Sequence, residues 1–186
     1  MGARIICFGE LLLRLTAPGN QRLLQSWSLE VCTGGAEANV AVSLAGFGHR
    51  VRFASVVSAN ALGSAALGEL QRAGVSTASV LRGPQRMGLY FLEPGAVLRP
   101  SAITYDRAGS AFAEAAPEAL DWSVLLPGTD LFHVSGVTPA IGPKAAEATL
   151  RAVRAANEMG VPVSFDGNYR ALLWEAWKGD GPGILK

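Results

Sequence analysis

Residues 31–41 read VCTGGAEANVA, and they place two adjacent glycines, Gly34 and Gly35, between a strand-like run and a helix-like run. Unpartnered backbone N–H groups and the positive end of the helix dipole meet at such a junction and attract anions or hydroxyls. A glycine has no Cβ, so a ligand can approach it closely. A tight turn that needs positive φ explains the pair equally well, and this stretch alone leaves both explanations open.

An alternation of strand-like and helical patterns surrounds this junction. Short apolar runs predict strands buried on both faces, at residues 4–8, 51–57, 131–134 and 161–165. Apolar residues at helical spacing predict helices at residues 40–47, 62–73 and 143–159. The fold class is therefore α/β, with a parallel sheet flanked by helices.

A second group of strand-like runs lacks intervening helices. Residues 11–16 and 23–31 form one part of it, and 87–93 and 102–106 form the other. Strands joined without a helix pair antiparallel, so we expect a separate antiparallel sheet, built from residues near 11–31 and 87–106, that resembles a lid. The whole chain, 1–186, is of a size for one domain with a real core.

Composition narrows the class of partner. The 16 basic and 15 acidic residues are scattered and give a net charge of +1, so no electrostatic footprint for nucleic acid or an anionic membrane is visible. No apolar run approaches the roughly 20 residues of a membrane span. The start of the chain lacks the features of a signal peptide. Two cysteines, Cys7 and Cys32, lie in apolar surroundings and predict buried free thiols. We expect a cytoplasmic protein with a small-molecule partner.

Three residues of the predicted lid could hold a small acid. Tyr90 and Tyr105 each offer an apolar ring with a hydroxyl tip, and Arg107 offers a planar fork that matches a carboxylate. Tyrosines are common in strands, however, and an arginine at a strand end is usually only solvated. Asn39, about one turn inside the helix that follows Gly35, could face the same ligand or bond its own backbone.

Polar residues also follow the predicted strand at 161–165, in the run SFDGNYR. The carboxyl ends of strands are where open α/β sheets bind ligands, but an Asx turn explains Asp166 and Asn168 about as well. His133 is most simply a core histidine, and no residues stand at metal-ligand spacing. Neither GxGxxG nor GxxxxGK[ST] occurs, which counts against dinucleotide and P-loop sites, and hence against a Rossmann-type oxidoreductase.

Six motifs together resemble one known family. They are FGELLLRL, TGGAEANVAVSLAGFG, GLYFLEPG, ITYDRAGSAF, VSGVTPA and FDGNYRALLW. They occur in the order found in ribokinase-like (PfkB-type) carbohydrate kinases, and the resemblance is closest to 2-keto-3-deoxygluconate kinases. It covers residues 4 to about 174. The resemblance implies an α/β fold with a β-sheet lid and transfer of the γ-phosphoryl group of ATP, with Mg²⁺, to a sugar or sugar acid.

The resemblance also assigns roles to residues of this chain. Positions that hold substrate are matched by Gly34, Gly35, Asn39, Tyr90, Tyr105, Arg107, Val137 and Arg170. Asn168 matches a position near the nucleotide phosphates. Lid strands in this family often pair between subunits, which implies a possible homodimer.

The arginines favour a sugar acid over a neutral sugar. A neutral sugar would leave a partly buried guanidinium unpaired, whereas a carboxylate would accept a charge-assisted bond worth roughly 1.5–3 kcal/mol. Two alternatives stay open: a fructokinase- or ribokinase-type enzyme acting on a neutral sugar, and a non-catalytic sugar-binding module.

One part of the family pattern is missing. The Gly-Ala-Gly-Asp motif, which supplies the anion hole and the catalytic base, and the Asn-x-x-Glu motif associated with magnesium do not occur in these residues. The resemblance therefore implies that the chain lacks the C-terminal half of the fold, carries no catalytic residue and does not turn over alone. A parallel sheet cut there would leave an unpaired edge near residues 161–165.

Overall fold

The computed structural model describes residues 2–184. The strands are β1 (Arg4–Phe8), β2 (Leu12–Thr16), β3 (Glu30–Gly34), β4 (Arg50–Ser58), β5 (Ser76–Gly83), β6 (Leu89–Glu93), β7 (Ala102–Asp106), β8 (Leu131–Ser135) and β9 (Val163–Asp166). The helices are α1 (Ala36–Gly46), α2 (Ala61–Arg72), α3 (Trp122–Leu125), α4 (Pro143–Glu158), α5 (Ala171–Glu175) and α6 (Gly181–Ile184), and a 3-10 helix spans Pro139–Ile141.

The larger sheet has the order β5-β4-β1-β8-β9, and its neighbouring strands pair parallel. β1 is central because it pairs with β4 on one side and β8 on the other. The predicted parallel sheet with flanking helices is confirmed. β9 lies at one edge of the sheet as described, which is where the sequence predicted an unpaired edge.

Side chains of β1 alternate between two apolar cores, one on each face of this sheet. Ile6 and Phe8 pack in the cluster that includes Ala145 and Ala152 of α4. Ile5 and Cys7, in contrast, belong to the cluster that contains buried residues of α1 and α2. This alternation follows from the period of two in a strand, and burial on both faces explains why residues 5–8, IICF, are all apolar.

The smaller sheet, which we call the lid, has the order β3-β2-β6-β7. β6 and β7 pair antiparallel as predicted, and so do β2 and β3. The prediction of a wholly antiparallel lid is wrong, because β2 and β6 pair parallel. The chain leaves β2–β3 and passes through α1, β4, α2 and β5 before it enters β6, and a crossover of that length permits a parallel pair.

The strands differ from the sequence-based prediction in two further respects. In place of the expected strand at 23–31, residues 23–27 form turns and bends and residues 28–29 are irregular, and only residues 30 and 31 belong to β3. Leu24 has a φ of +65° and, like Trp27, is almost fully exposed, so the alternation of apolar residues there serves no buried face. β5 was not predicted, because this edge strand is half exposed and has no long apolar run. Among residues 2–184, no helix combines the length and apolar character that crossing a membrane requires.

Candidate functional site

Gly34 and Gly35 have different structural roles. Gly34 ends β3, and Gly35 caps α1 with a φ of +146°. A Cβ at Gly35 would overlap the carbonyl oxygen of Glu10, so close backbone approach requires glycine there. A Cβ at Gly34 would meet only ordinary neighbours, the nearest atom of Tyr90 lying 3.7 Å away. Gly35 therefore shapes the junction, and Gly34 is buried beside a lid tyrosine.

Both lid tyrosines lie on the same face of the lid as Gly34. Tyr90 and Tyr105 are direct partners in the register of β6 and β7, and their ring centroids are 6.3 Å apart. Tyr105 also packs against the cluster of Val137, Ala140, Leu173 and Trp174. The structure thus brings together Gly34, the two tyrosines and Val137, four of the predicted site residues.

Asn39 lies at the edge of this group. Its side chain is exposed, its backbone N–H donates to the carbonyl of Gly35, and its own carbonyl accepts from Ser43 Oγ. Ala36, three residues earlier and therefore on the same side of α1, packs against the Val137 cluster. Asn39 therefore lies on the side of α1 that carries Ala36, and its side-chain amide makes no hydrogen bond to another residue of the range 2–184.

Arg107 already has a carboxylate partner. Its Nε donates to Glu10 Oε2 at 2.6 Å, and both side chains are buried, with exposures of 7% and 1%. Ser110 Oγ donates to the other oxygen of Glu10 at 2.5 Å, and a Cβ at Gly88 would collide with that oxygen. Neither terminal amino group of Arg107 is fully buried without a hydrogen-bond partner. The premise that Arg107 stays unpaired without an acidic ligand is therefore wrong.

A second buried carboxylate, Glu37, ties α1 to the segment after β8. Its Oε1 accepts from Ser135 N at 2.9 Å, Ser135 Oγ at 2.6 Å and Thr138 Oγ1 at 2.8 Å. Val137 lies between these donors and is held in place by them. Sequence reasoning missed Glu10 and Glu37. The available signal was a carboxylate set among apolar and glycine residues, Glu10 just after β1 and Glu37 in the first turn of α1, since such surroundings are unusual for a solvated charge.

Asn168 and Arg170 follow β9 in an exposed loop. Asn168 has a φ of +31°, and its N–H donates to Asp166 Oδ1 at 3.0 Å, so the Asx turn, one of the two explanations considered for these residues, is present. Arg170 is exposed, and its recorded hydrogen bond runs to the carbonyl of Tyr169. It directly precedes α5, whose Leu173 packs with Val137. Arg170 therefore lies at the rim of the group, whereas nothing brings Asn168 to the lid.

The remaining predicted residues behave as structural groups. His133 is buried, with Nδ1 3.1 Å from Ser164 Oγ, and burial lowers its pKa despite the nearby carboxylates of Glu37 and Asp166.

Both cysteines are free; Cys7 is buried, and burial, together with Glu37, raises the pKa of its thiol to about 12. Cys32 is only half-buried. Within residues 2–184, no group of three or more His, Cys, Asp or Glu side chains could hold a metal ion.

The family model described as pfkB family carbohydrate kinase matches residues 3–180. The chain belongs to this family. The predicted resemblance is thereby confirmed, and with it the enzyme class of the family. The chain is 35% identical over 174 residues to the 2-dehydro-3-deoxygalactonokinase of Haloferax volcanii, covering 94% of this chain and 54% of that protein.

Solved structures of family members share the fold. The 2-dehydro-3-deoxygluconokinase of Thermotoga maritima has a TM-score of 0.89 and 46% identity, covering 97% of this chain and 56% of that one. A PfkB family carbohydrate kinase from Listeria grayi has a TM-score of 0.89 and 41% identity, over 98% and 57%. The chain spans about half the length of the curated relatives it matches.

Proposed function

We propose that this chain is the sugar-binding part of an ATP-dependent kinase that phosphorylates a 2-keto-3-deoxy sugar acid, with 2-keto-3-deoxygluconate as substrate and its 6-phosphate as product. One observation carries the proposal. Gly34, Tyr90, Tyr105 and Val137, four residues assigned to the sugar by the resemblance, converge between the lid and the larger sheet. Of the relatives described above, one is named for 2-dehydro-3-deoxygluconate, which is another name for 2-keto-3-deoxygluconate, and one for its epimer 2-dehydro-3-deoxygalactonate.

In this proposal the sugar lies under the lid. The backbone at Gly34 and Gly35 and the amide of Asn39 bind sugar hydroxyls, and the tyrosine rings cover the carbon skeleton. Val137 forms the apolar wall. Arg170 reaches in from the rim, and Arg107 contributes the donors that Glu10 does not use.

In this proposal ATP is the phosphoryl donor and Mg²⁺ is its counterion. Asn168 lies near the phosphates of the nucleotide. Phosphoryl transfer requires charge stabilisation and a base that can take the proton of the attacking hydroxyl. The two buried carboxylates of the site are committed to other donors, Glu10 to Arg107 and Ser110, and Glu37 to Ser135 and Thr138. We therefore propose that the 186 residues bind sugar without turning it over.

The test compares an acid with its neutral counterpart. 3-Deoxyfructose differs from 2-keto-3-deoxygluconate by a hydroxymethyl group in place of the carboxylate, so titration calorimetry with both ligands isolates the carboxylate. We expect the purified chain to bind the acid at least tenfold more tightly, a difference of about 1.4 kcal/mol. Equal affinity would favour the neutral-sugar kinase. Failure to bind either ligand would contradict the proposal.

A second assay separates binding from catalysis. With ATP, Mg²⁺ and the acid, the purified chain is expected to release no ADP in an assay coupled to pyruvate kinase and lactate dehydrogenase. ADP release that depends on the sugar acid would contradict the proposed lack of turnover and would also exclude the non-catalytic module. A full-length relative assayed in parallel is the positive control.

We also propose that the protein works in the cytoplasm and pairs through its lid strands. β3 and β7 are the edges of the lid, and Val31 of β3 is 60% exposed. Unpaired strand edges favour strand addition from a second copy. Light scattering of the purified chain is expected to report a dimer, and a monomer at all concentrations would contradict the pairing.

A further inference from the structure

Arg14 lies on the face of the lid that carries both tyrosines. It is the direct register partner of Cys32 in β3 and of Tyr90 in β6, and Tyr90 in turn faces Tyr105 in β7. One row therefore crosses the four strands in the order Cys32, Arg14, Tyr90, Tyr105. Since side chains of paired residues project to the same face, the guanidinium belongs to the face that packs toward Val137.

The charge of Arg14 is not balanced inside the chain. Its Nε is buried without a hydrogen-bond partner, and the ion pairs recorded for residues 2–184 do not include it. Its neighbours in the row are Cys32 and Tyr90. Burial of Arg14 lowers its pKa, but these two groups outweigh that effect and leave the pKa above its ordinary value, so the group stays charged.

The two arginines on or beside the lid thus differ in what they can offer an anion. Arg107 forms a buried pair with Glu10, whose net charge is zero whether or not a ligand is present. Arg14 is a half-buried cation that takes part in none of the ion pairs found in residues 2–184, and its Nε has no hydrogen-bond partner. A buried or half-buried charge without a partner is costly, and a carboxylate that pairs with it recovers both the Coulomb energy and the hydrogen bond.

We propose that Arg14 is the residue that selects an acid over a neutral sugar, by pairing with the carboxylate of the substrate beneath the lid. This rests on the proposed function, and it assigns that site a contact outside the set implied by the family motifs. Tyr90 and Tyr105 then position the sugar, and the unpaired charge of Arg14 fixes which end of the molecule lies near β2.

The experiment measures the ratio of affinities for 2-keto-3-deoxygluconate and 3-deoxyfructose in wild type, Arg14→Met and Arg14→Lys. Methionine retains an apolar stem of comparable length without the charge. We expect Arg14→Met to weaken binding of the acid about tenfold and to change binding of the neutral sugar less than threefold. Lysine keeps the charge but loses the fork, so it should restore part of the preference. Arg154→Met, at an exposed position of α4, is the matched control and should change neither affinity.

Cys32 supplies a readout that is independent of calorimetry. It neighbours Arg14 and is half-buried, whereas Cys7 is fully buried. The acid should slow labelling of Cys32 by a thiol reagent in wild type and in Arg154→Met, but not in Arg14→Met at the same ligand concentration. Thermal melts in the absence of ligand verify that each variant is folded.

The outcomes separate the two proposals. If wild type prefers the acid and Arg14→Met keeps the same preference, the role of Arg14 is overturned while the proposed function stands. If Arg14→Met weakens both ligands equally, Arg14 is a structural residue of the lid and the inference also fails. If wild type binds neither ligand, the proposed function fails and the inference fails with it.

Discussion

Replacing Glu10 by alanine would leave the Arg107 guanidinium as a buried, uncompensated cation. Glu10 is 1% exposed and Arg107 7%, so water screens the charge poorly. Removing one partner of a buried pair typically costs about 3–5 kcal/mol. Ser110 Oγ, which donates to the same carboxylate, would lose its acceptor as well. We therefore expect Glu10→Ala to lower the free energy of unfolding by about 3–5 kcal/mol, a large part of the stability of an ordinary domain.

A double-mutant cycle separates the coupling energy of the ion pair from the cost of the cavity that each truncation creates. Arg107→Ala leaves the anion of Glu10 behind, whereas the double variant removes both charges. The double variant should therefore be more stable than the sum of the single effects predicts, by about 2–3 kcal/mol. Glu10→Gln keeps an acceptor for Nε without the charge, and it should cost less than alanine.

Urea denaturation followed by tryptophan fluorescence measures each free energy, with the slope checked for constancy across variants. The exposed pair of Arg151 and Glu147 on α4 provides the control, because it has the same chemistry at side-chain exposures of 52% and 46%. The double-mutant cycle for this exposed pair should give a coupling energy of only about 0.3–0.5 kcal/mol. Additive effects at Glu10 and Arg107, or a coupling energy no larger than the control, would refute the buried ion pair.

Three further predictions concern other parts of the chain. Gly35→Ala should destabilise the protein by about 1–3 kcal/mol in the same urea assay, because a Cβ there overlaps a carbonyl oxygen at a φ of +146°; an unchanged midpoint would contradict this geometry. Asp130, bonded to Arg4, has its pKa lowered to about 2, so its stabilising effect is present above the unfolded value near 4 and is lost as the pH falls through 2. The difference in melting temperature between wild type and Asp130→Asn should therefore shrink from pH 6 to pH 2, and a constant difference would argue against the pair. A thiol reagent should label Cys32 within minutes and Cys7 only on unfolding, and two equally fast thiols would refute the burial of Cys7.

The elements that were predicted correctly are those whose local pattern has one physical cause. Residues 5–8, IICF, are apolar because β1 is buried on both faces, and α4 begins at Pro143 because the first helical turn tolerates proline. The strand prediction for residues 23–31 is wrong because alternating apolar residues form a strand only where a partner strand exists, and the structure supplies no partner before residue 30. β5 was missed for the opposite reason, since pairing with β4 makes a strand of a sequence without strong apolar character.

The candidate site likewise has residues that sequence motifs identify and contacts that only the structure shows. The resemblance assigned eight residues to the substrate, and the structure brings four of them together, Gly34, Tyr90, Tyr105 and Val137. The partner of Arg107 could not be predicted, because Glu10 lies 97 positions away and carboxylates carry no sign of which cation they meet. Arg14 was likewise overlooked, since only the strand register shows that it shares a face with the tyrosines.

The sequence by itself determined the family and the α/β class, because these depend on local periodicity and on motifs in order. Only the tertiary structure decided which charges are paired. Pairing depends on distances between segments that are far apart in the chain, and on burial, which sets how strongly each charge acts. For that reason the structure shows Arg107 paired with Glu10 and Arg14 as an unpaired charge on the lid.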